Sequence, residues 1–293
     1  MVTFDELEKA DVSDLSVRVR VEAFYKGTVE VSKFAGSVMI PLLRGQINLN
    51  DKEKSIVGTY YRMYLWIRSM VAMNGRIYFQ AAAAAARSLF ELLLDMKILA
   101  TDKTGQWVER FHVFPEIEKF RVAGNLMSFC DSHPNIVIRD VSHRRAFINK
   151  QGRRQRIHQS IVKYWGRTKK GKPNRPEHWT GKKVQKRAHH LGLKYEELYV
   201  RVYPLLSWYI HSGSTGYVDF SPEGLEACFG VSHSVAQEAF LEATLICAHE
   251  MKISKVLQWL PKVIADLRQT PAKVLTEEQI RILEKAKLKF STD

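Results

Sequence analysis

An all-α, multi-helix bundle with a basic, partly irregular insert between core helices is the fold class this sequence predicts, and three observations predict it. Apolar residues recur at helical spacing over long runs, six consecutive alanines from Ala81 to Ala86 sit inside the most apolar segment, and no convincing strand pair or internal repeat is present. The first element is read from Val17, Val21, Phe24, Thr28, Val31, Ala35, Val38 and Leu42, a 4-3-4-3 spacing that keeps one helical face. The alternation from Val17 to Glu22 alone would suggest a strand, but the longer pattern outweighs it. Asp51 then caps a second helix from about Glu53 to Met73, with Tyr60, Tyr64, Ile67 and Val71 as its apolar stripe and Asn74-Gly75 as its stop. Arg76 to Ala100 is a third, and its small alanine side chains allow neighbours to approach closely, which makes it the expected centre of the bundle. Val108–Phe129 follows as a fourth, Lys182–Leu191 and Tyr195–His211 flank a break at Gly192, and Ser232–Leu260 runs from a serine cap to Pro261. Thr276-Glu277-Glu278-Gln279 is a capping box opening a last helix to about Lys289. The expected organisation is an N-terminal helical segment 1–50, a helical core domain 51–260 containing a basic insert 143–190, and a C-terminal helical tail 261–293.

Composition bounds the function classes. The 293 residues are 45% apolar and carry 45 Lys and Arg against 31 Asp and Glu, a formal charge of +14, which suits a folded basic chain and excludes disordered or collagen-like classes. Three cysteines, Cys130, Cys228 and Cys247, form no C-x-x-C pair and cannot build a disulfide framework or a thiol-rich zinc site. The acidic N-terminus lacks a signal-peptide core, and Arg87, Glu91, Asp95 and Lys97 interrupt the apolar run from Ile77 to Leu99, so the expectation is a cytoplasmic protein with no membrane span. No motif calls for a metal or a cofactor. There is no G-x-S-x-G, H-E-x-x-H or G-x-G-x-x-G, and Gly166-x4-Gly171-Lys172 fails as a P-loop because Pro173 stands where a magnesium-binding hydroxyl is needed. Gly213-Ser214-Thr215-Gly216 could cradle a phosphate through its backbone amides, but four small residues after a helix are far more often a plain C-terminal cap and loop.

The charge is concentrated. From His143 to His190 the chain carries sixteen Lys and Arg and one acid, Glu177, while the rest of the molecule holds 29 bases against 30 acids. Its middle, Gly166 to Pro176, has two Gly, two Pro and no apolar period, and reads as an exposed, mobile loop. A single-sign block interleaved with Tyr164, Trp165, His178 and Trp179 is the pattern that single-stranded nucleic acid uses, cations for phosphates and aromatic faces for bases. The expected contact residues for RNA or single-stranded DNA are Arg153, Arg154, Arg156, Lys163, Arg167, Lys169, Lys170, Lys172, Arg175, Trp179, Lys182 and Lys183. Binding of this kind has little sequence specificity. The competing readings of the block are a plain solvated surface and an anionic membrane surface.

Arg87 and Glu91 are spaced i, i+4 on the most apolar helix, with Asp95 continuing their face, so these charges need partners. They are either a register-fixing ion pair or part of an active site. His211 ends the aromatic stretch from Tyr203, with Ser207 one turn before it, and is either a structural residue at a helix C-terminus or a general acid or base on a ribose hydroxyl or phosphate ester.

Three segments carry a resemblance: Arg87-Ser88-Leu89-Phe90-Glu91-Leu92-Leu93-Leu94, then His178-Trp179-Thr180-Gly181-Lys182-Lys183, then Tyr199–Tyr203 leading into Leu206-Ser207-Trp208-Tyr209-Ile210-His211-Ser212-Gly213. In this order, over roughly Tyr60 to Met251, they resemble the landmarks of domain-of-unknown-function family 5677. The resemblance implies a bacterial, all-helical protein without an assigned activity, whose polar landmarks here are Arg87, Glu91 and His211. Such architecture is in turn similar to the HEPN superfamily of helical nucleases and nucleotide-binding domains. Nuclease members of that superfamily carry an Arg separated from a His by four to six residues, whereas the nearest Arg before His211 is Arg201, with nine residues between. Two functions of different class follow: a nucleic-acid-binding protein with metal-independent cleavage by His211, assisted by Arg87, Glu91 and Ser207, or a non-enzymatic helical interaction module, such as a homodimer, with Arg87, Glu91 and His211 as a structural polar core.

Overall fold

The computed structural model describes residues 15–136, 141–210, 221–258 and 260. Among them are ten α-helices, and the one extended pairing is an isolated bridge between Arg167 and Pro173, so the fold class is an all-α, multi-helix bundle. The described residues fall into two compact units, one made of those before Asp102 and from Leu191 onward, the other of Asp102–His190.

In the first unit, α1 (Leu15–Phe34) runs through a π-helical turn (Ala35–Met39) into the short α2 (Ile40–Arg44). A π turn holds one residue more than an α turn, so it rotates every later side chain relative to the face set up before it. Val21, Thr28, Val31 and Ala35 are buried as their spacing predicts, but from the end of the turn onward Met39, Ile40 and Leu43 point inward while Val38 and Leu42 are exposed. The uniform 4-3-4-3 reading to Leu42 is thereby corrected.

Helix α3 (Asp51–Ala72) is capped by Asn50, not Asp51: Asn50 Oδ1 accepts from the Glu53 amide at 3.0 Å and Glu53 Oε2 accepts from the Asn50 amide at 2.8 Å, a reciprocal capping box. Asn50→Ala removes an acceptor that satisfies an otherwise free helix N–H and is expected to lower stability by about 1 kcal/mol, read as a lower urea midpoint at unchanged slope. After a single 3-10 turn (Arg76–Tyr78), α4 (Phe79–Ala100) forms the centre. Ala82, Ala83, Ala85 and Ala86 are fully buried, and their small side chains admit α10 (Pro222–Glu250), while α3 and α9 (Leu193–Ile210) pack on other faces. The segment Arg76–Ala100 is long and apolar enough to cross a membrane by length and composition, and its apolar residues are here largely the core of the bundle.

Gly192, at φ +105°, separates α9 from α8 (Val184–Leu191), as the sequence predicts. The last described long helix begins earlier than Ser232. Ser221 caps it, accepting from the Gly224 amide at 3.0 Å, and Pro222 fits the first turn, where its missing N–H costs nothing. Ser232 lies buried mid-helix with its hydroxyl donated to the Cys228 carbonyl. The helix ends at Glu250, ahead of Lys252 at φ +55°. The predicted helix opening at Thr276 lies outside the described residues.

The second unit is built on α5 (Gln106–Ser132), against which α6 (Val141–Asn149) and α7 (Arg153–Trp165) pack. Ile157 and Ile161 of α7 meet Ile117, Val113 and Phe120 of α5, and Trp165 closes the cluster. Asp102 anchors the start of α5, its carboxylate accepting from the Thr104, Gly105, Trp107 and Val108 amides and the Thr104 hydroxyl. Burial alone would raise its pKa, but these hydrogen bonds outweigh it and hold the group below the usual carboxylate range.

Candidate nucleic-acid interface

The basic segment contains two helices that its charge concealed. On α7 the inward residues Ile157 and Ile161 leave Arg154, Gln155, His158, Gln159 and Val162 on the adjoining face, the i, i+1, i+4, i+5, i+8 stripe of a helix. That stripe floors a cavity of about 1060 Å³, with Lys150 at one end and Lys163, Arg167 and Pro173 at the other. Among the described residues four cations, one histidine and four side-chain amides line it, with no carboxylate. Lys150, Arg154 and Arg167 have no carboxylate in ion-pair range among the described residues, whereas Lys163 lies 3.3 Å from Glu109. Nε2 of His158 is buried without a hydrogen-bond partner among the described residues, and the His158 pKa is pushed down by burial first and then by the charges of Arg154 and Arg175. A second cavity of about 650 Å³ shares Ile148, Asn149 and Arg154 with the first and adds Arg121, Arg145 and Arg175, with Asp131 as its one acid.

Beyond α7, the stretch read as an irregular loop is exposed but closed on itself. The Thr168 amide donates to the Lys172 carbonyl at 2.8 Å, the Asn174 amide to Gly166 at 3.0 Å, and Arg167 Nη1 to Gly171 at 2.8 Å. These bonds present Lys169, Lys170 and Lys172 at an exposed tip, and Arg156 and Lys183 are exposed elsewhere on the unit.

Two of the predicted contact residues are committed inside the fold. Trp179 is only 3% exposed, edge-on to Trp107 and Phe111 with its carbonyl accepting from Trp165 Nε1, so it offers no face on which a base could stack. Arg153 lies over the Phe147 ring at 4.0 Å, donates to the Phe147 carbonyl at 2.8 Å and sits 3.6 Å from Glu116, joining α7 to α6 and α5. Lys182 lies half-buried near Trp107.

In the first unit, Arg87 Nε donates to Glu91 Oε1 at 3.1 Å and to the Tyr203 hydroxyl at 2.9 Å, and Tyr203 donates to the same carboxylate oxygen at 2.7 Å. The guanidinium lies 4.9 Å from the Tyr203 ring centre, and Tyr199 stacks on Tyr203. The sequence paired Arg87 with Glu91 but missed Tyr203, whose phenol burial and Glu91 keep protonated. Ser207 Oγ is spent on the Tyr203 carbonyl at 2.7 Å. Asp95, one turn further along α4, is 7% exposed. His211 and Gly213–Gly216 lie outside the described residues. No three His, Cys, Asp or Glu side chains converge as a metal-binding set among the described residues.

A family model described as "Family of unknown function (DUF5677)" matches residues 53–224, which span more than half of the chain. The chain belongs to this family. No curated protein and no solved structure matches it. The described parts of the three segments that carry the resemblance have clear physical roles here. Arg87 and Glu91 close the Tyr203 network, while His178-Trp179-Thr180-Gly181 makes a turn in which the Thr180 amide donates to His178 Nδ1 at 3.2 Å. Gly181 sits at φ +68°, and a Cβ there would meet Trp165 Cδ1 at 2.8 Å, so both backbone and space demand glycine.

Proposed function

We propose that this DUF5677 protein binds RNA or single-stranded DNA, with little dependence on sequence, through the α7 groove and the adjoining basic loop. The observation that carries the reading is the groove lined by Lys150, Arg154, Lys163 and Arg167 without a carboxylate. Like charges held around one concavity repel each other, and a polyanion that crosses it relieves the repulsion and releases its own counterions. Amides from Asn149, Gln151, Gln155 and Gln159 add donors and acceptors for sugar and base edges, which suits a flexible single strand. A cytoplasmic location belongs to this reading.

The finer form of the proposal adds HEPN-like, metal-independent cleavage by His211. A specific observation favours the other reading of the polar landmarks: Arg87, Glu91 and Tyr203 hydrogen-bond to one another, as a register-fixing core network of an interaction module would. One experiment separates these. Wild-type and His211→Ala proteins are incubated with labelled single-stranded RNA and DNA across a salt series, and mobility shift and fragment length are followed together. The expected result is salt-sensitive binding of equal strength by both proteins. Fragments made by the wild type alone assign cleavage to His211, and the absence of any shift at low salt overturns the binding proposal.

A further inference from the structure

Away from the groove, a second set of cations converges on one indole. The Arg110 guanidinium stands 4.7 Å from the Trp107 ring centre, the Lys182 ammonium 5.6 Å from it, and the His190 ring centre 6.3 Å from it. Arg110 follows Trp107 by one turn of α5, whereas Lys182 comes from the turn before α8 and His190 from its end, so helical spacing accounts for the first contact and the fold for the other two. None has a carboxylate in ion-pair range among the described residues. The two acids nearest Trp107 in sequence are engaged elsewhere, Asp102 with the backbone amides opening α5 and Glu109 with Tyr164 and Lys163. Arg110 Nε is buried and has no hydrogen-bond partner among the described residues.

We propose that Arg110, Lys182 and His190, arranged around Trp107, form a phosphate-binding site separate from the α7 groove. A buried guanidinium N–H without an acceptor is costly, and a tetrahedral oxyanion is the ligand that accepts from a guanidinium, an ammonium and an imidazolium at once. The indole face holds the cations in place through its quadrupole but offers Arg110 Nε no in-plane acceptor. The electrostatics agree. Burial and then the charge of Arg110 push the Lys182 pKa down, and burial and then Lys182 do the same to His190, the pattern of like charges gathered without their counterion. His190 is the exposed member, so the site opens to solvent on its side. Phosphate reaches such a site either as the free anion or as the terminal group of a bound strand; the second source rests on the nucleic-acid reading above.

The test follows the His190 imidazole by NMR, assigned with His190→Asn, while inorganic phosphate is added to the full-length protein near neutral pH. The expected result is a saturable shift with the His190 pKa raised, and saturation that needs at least tenfold more phosphate in Arg110→Gln and in Lys182→Gln. Should Arg110→Gln fail to fold, Lys182→Gln decides, since its ammonium is only half-buried. A linear response to phosphate, or saturation unchanged in both variants, overturns the proposal. Comparing 5′-phosphorylated with 5′-hydroxyl oligonucleotides then separates the sources: tenfold tighter binding of the phosphorylated strand, lost in Lys182→Gln, assigns the strand end, and equal binding beside a saturable phosphate response assigns the free anion. Arg154→Gln distinguishes the two failures, because it weakens oligonucleotide binding through the groove and leaves the His190 response to phosphate in place.

Discussion

A protein carrying Lys150→Gln, Arg154→Gln and Arg167→Gln together is expected to bind a single-stranded oligonucleotide about 100-fold more weakly at 50 mM salt, with a log–log salt slope shallower by about 2. Each phosphate contact on a single strand contributes about 0.7 to that slope, and these three residues are the groove cations with no carboxylate in range. The fold should tolerate the change. Lys150 and Arg154 are exposed and unpaired among the described residues, and Arg167 gives up one exposed loop bond, to the Gly171 carbonyl. Anisotropy titrations from 50 to 300 mM salt, with the thermal midpoint as a folding control, read the effect. A slope that does not move takes the strand elsewhere on the molecule. The swap Lys150→Arg with Arg154→Lys keeps the charge and should retain the slope, since phosphate contact here depends on charge more than on fork geometry.

How much of this was legible in the sequence depends on which signal each residue carries. The charged block was legible because a count of Lys and Arg needs no structure, and the central helix because its apolar run and Ala81–Ala86 leave one physical solution. The groove was not. Ile157, Ile161 and Trp165 do repeat at helical spacing, but they are few among many cations, and the polar stripe that matters is visible only once they are known to face inward. Trp179 misled for the related reason that an aromatic among cations looks the same whether its partners are bases or Trp107 and Phe111. Arg153 and Arg154 are adjacent and chemically identical, yet a helix turns the first onto Phe147 and Glu116 and the second into the groove. Tyr203 joins Arg87 and Glu91 across more than a hundred residues, a contact that only the packing of α9 on α4 brings about. The phase change at Ala35–Met39 has no composition cue, because a π turn is a property of the backbone path and not of its residues.

Acidification should destabilise the first unit through His233, the second large effect expected. This side chain is fully buried on α10 against α1, between the Tyr25 and Phe229 rings, with Nδ1 2.9 Å from the Thr28 hydroxyl. Thr28 Oγ1 donates to the Phe24 carbonyl and accepts from Gln237 Nε2, so the imidazole satisfies it best as the neutral Nδ1–H donor. Nε2 is then a buried lone pair without a partner among the described residues, and protonating it would place an N–H where none of them offers an acceptor. Burial accordingly pushes the folded pKa from 6.5 down to about 4. Above 6.5 the imidazole is neutral whether folded or unfolded. Between 6.5 and about 4 only the unfolded chain takes up the proton, so stability falls as pH falls through this window, by as much as about 3 kcal/mol. Glu226 acts in the opposite sense, since burial raises its pKa and the folded state takes up its proton more readily. Urea midpoints measured from pH 7.5 to 4.5 for wild type and His233→Asn isolate the histidine, because Glu226 and every other carboxylate titrate in both. The variant starts lower at pH 7.5, having lost ring packing, and its midpoint should then change less on acidification. Parallel curves for the two proteins would mean that the α1–α10 interface accommodates the imidazolium, which the Thr28–Gln237 arrangement around it forbids.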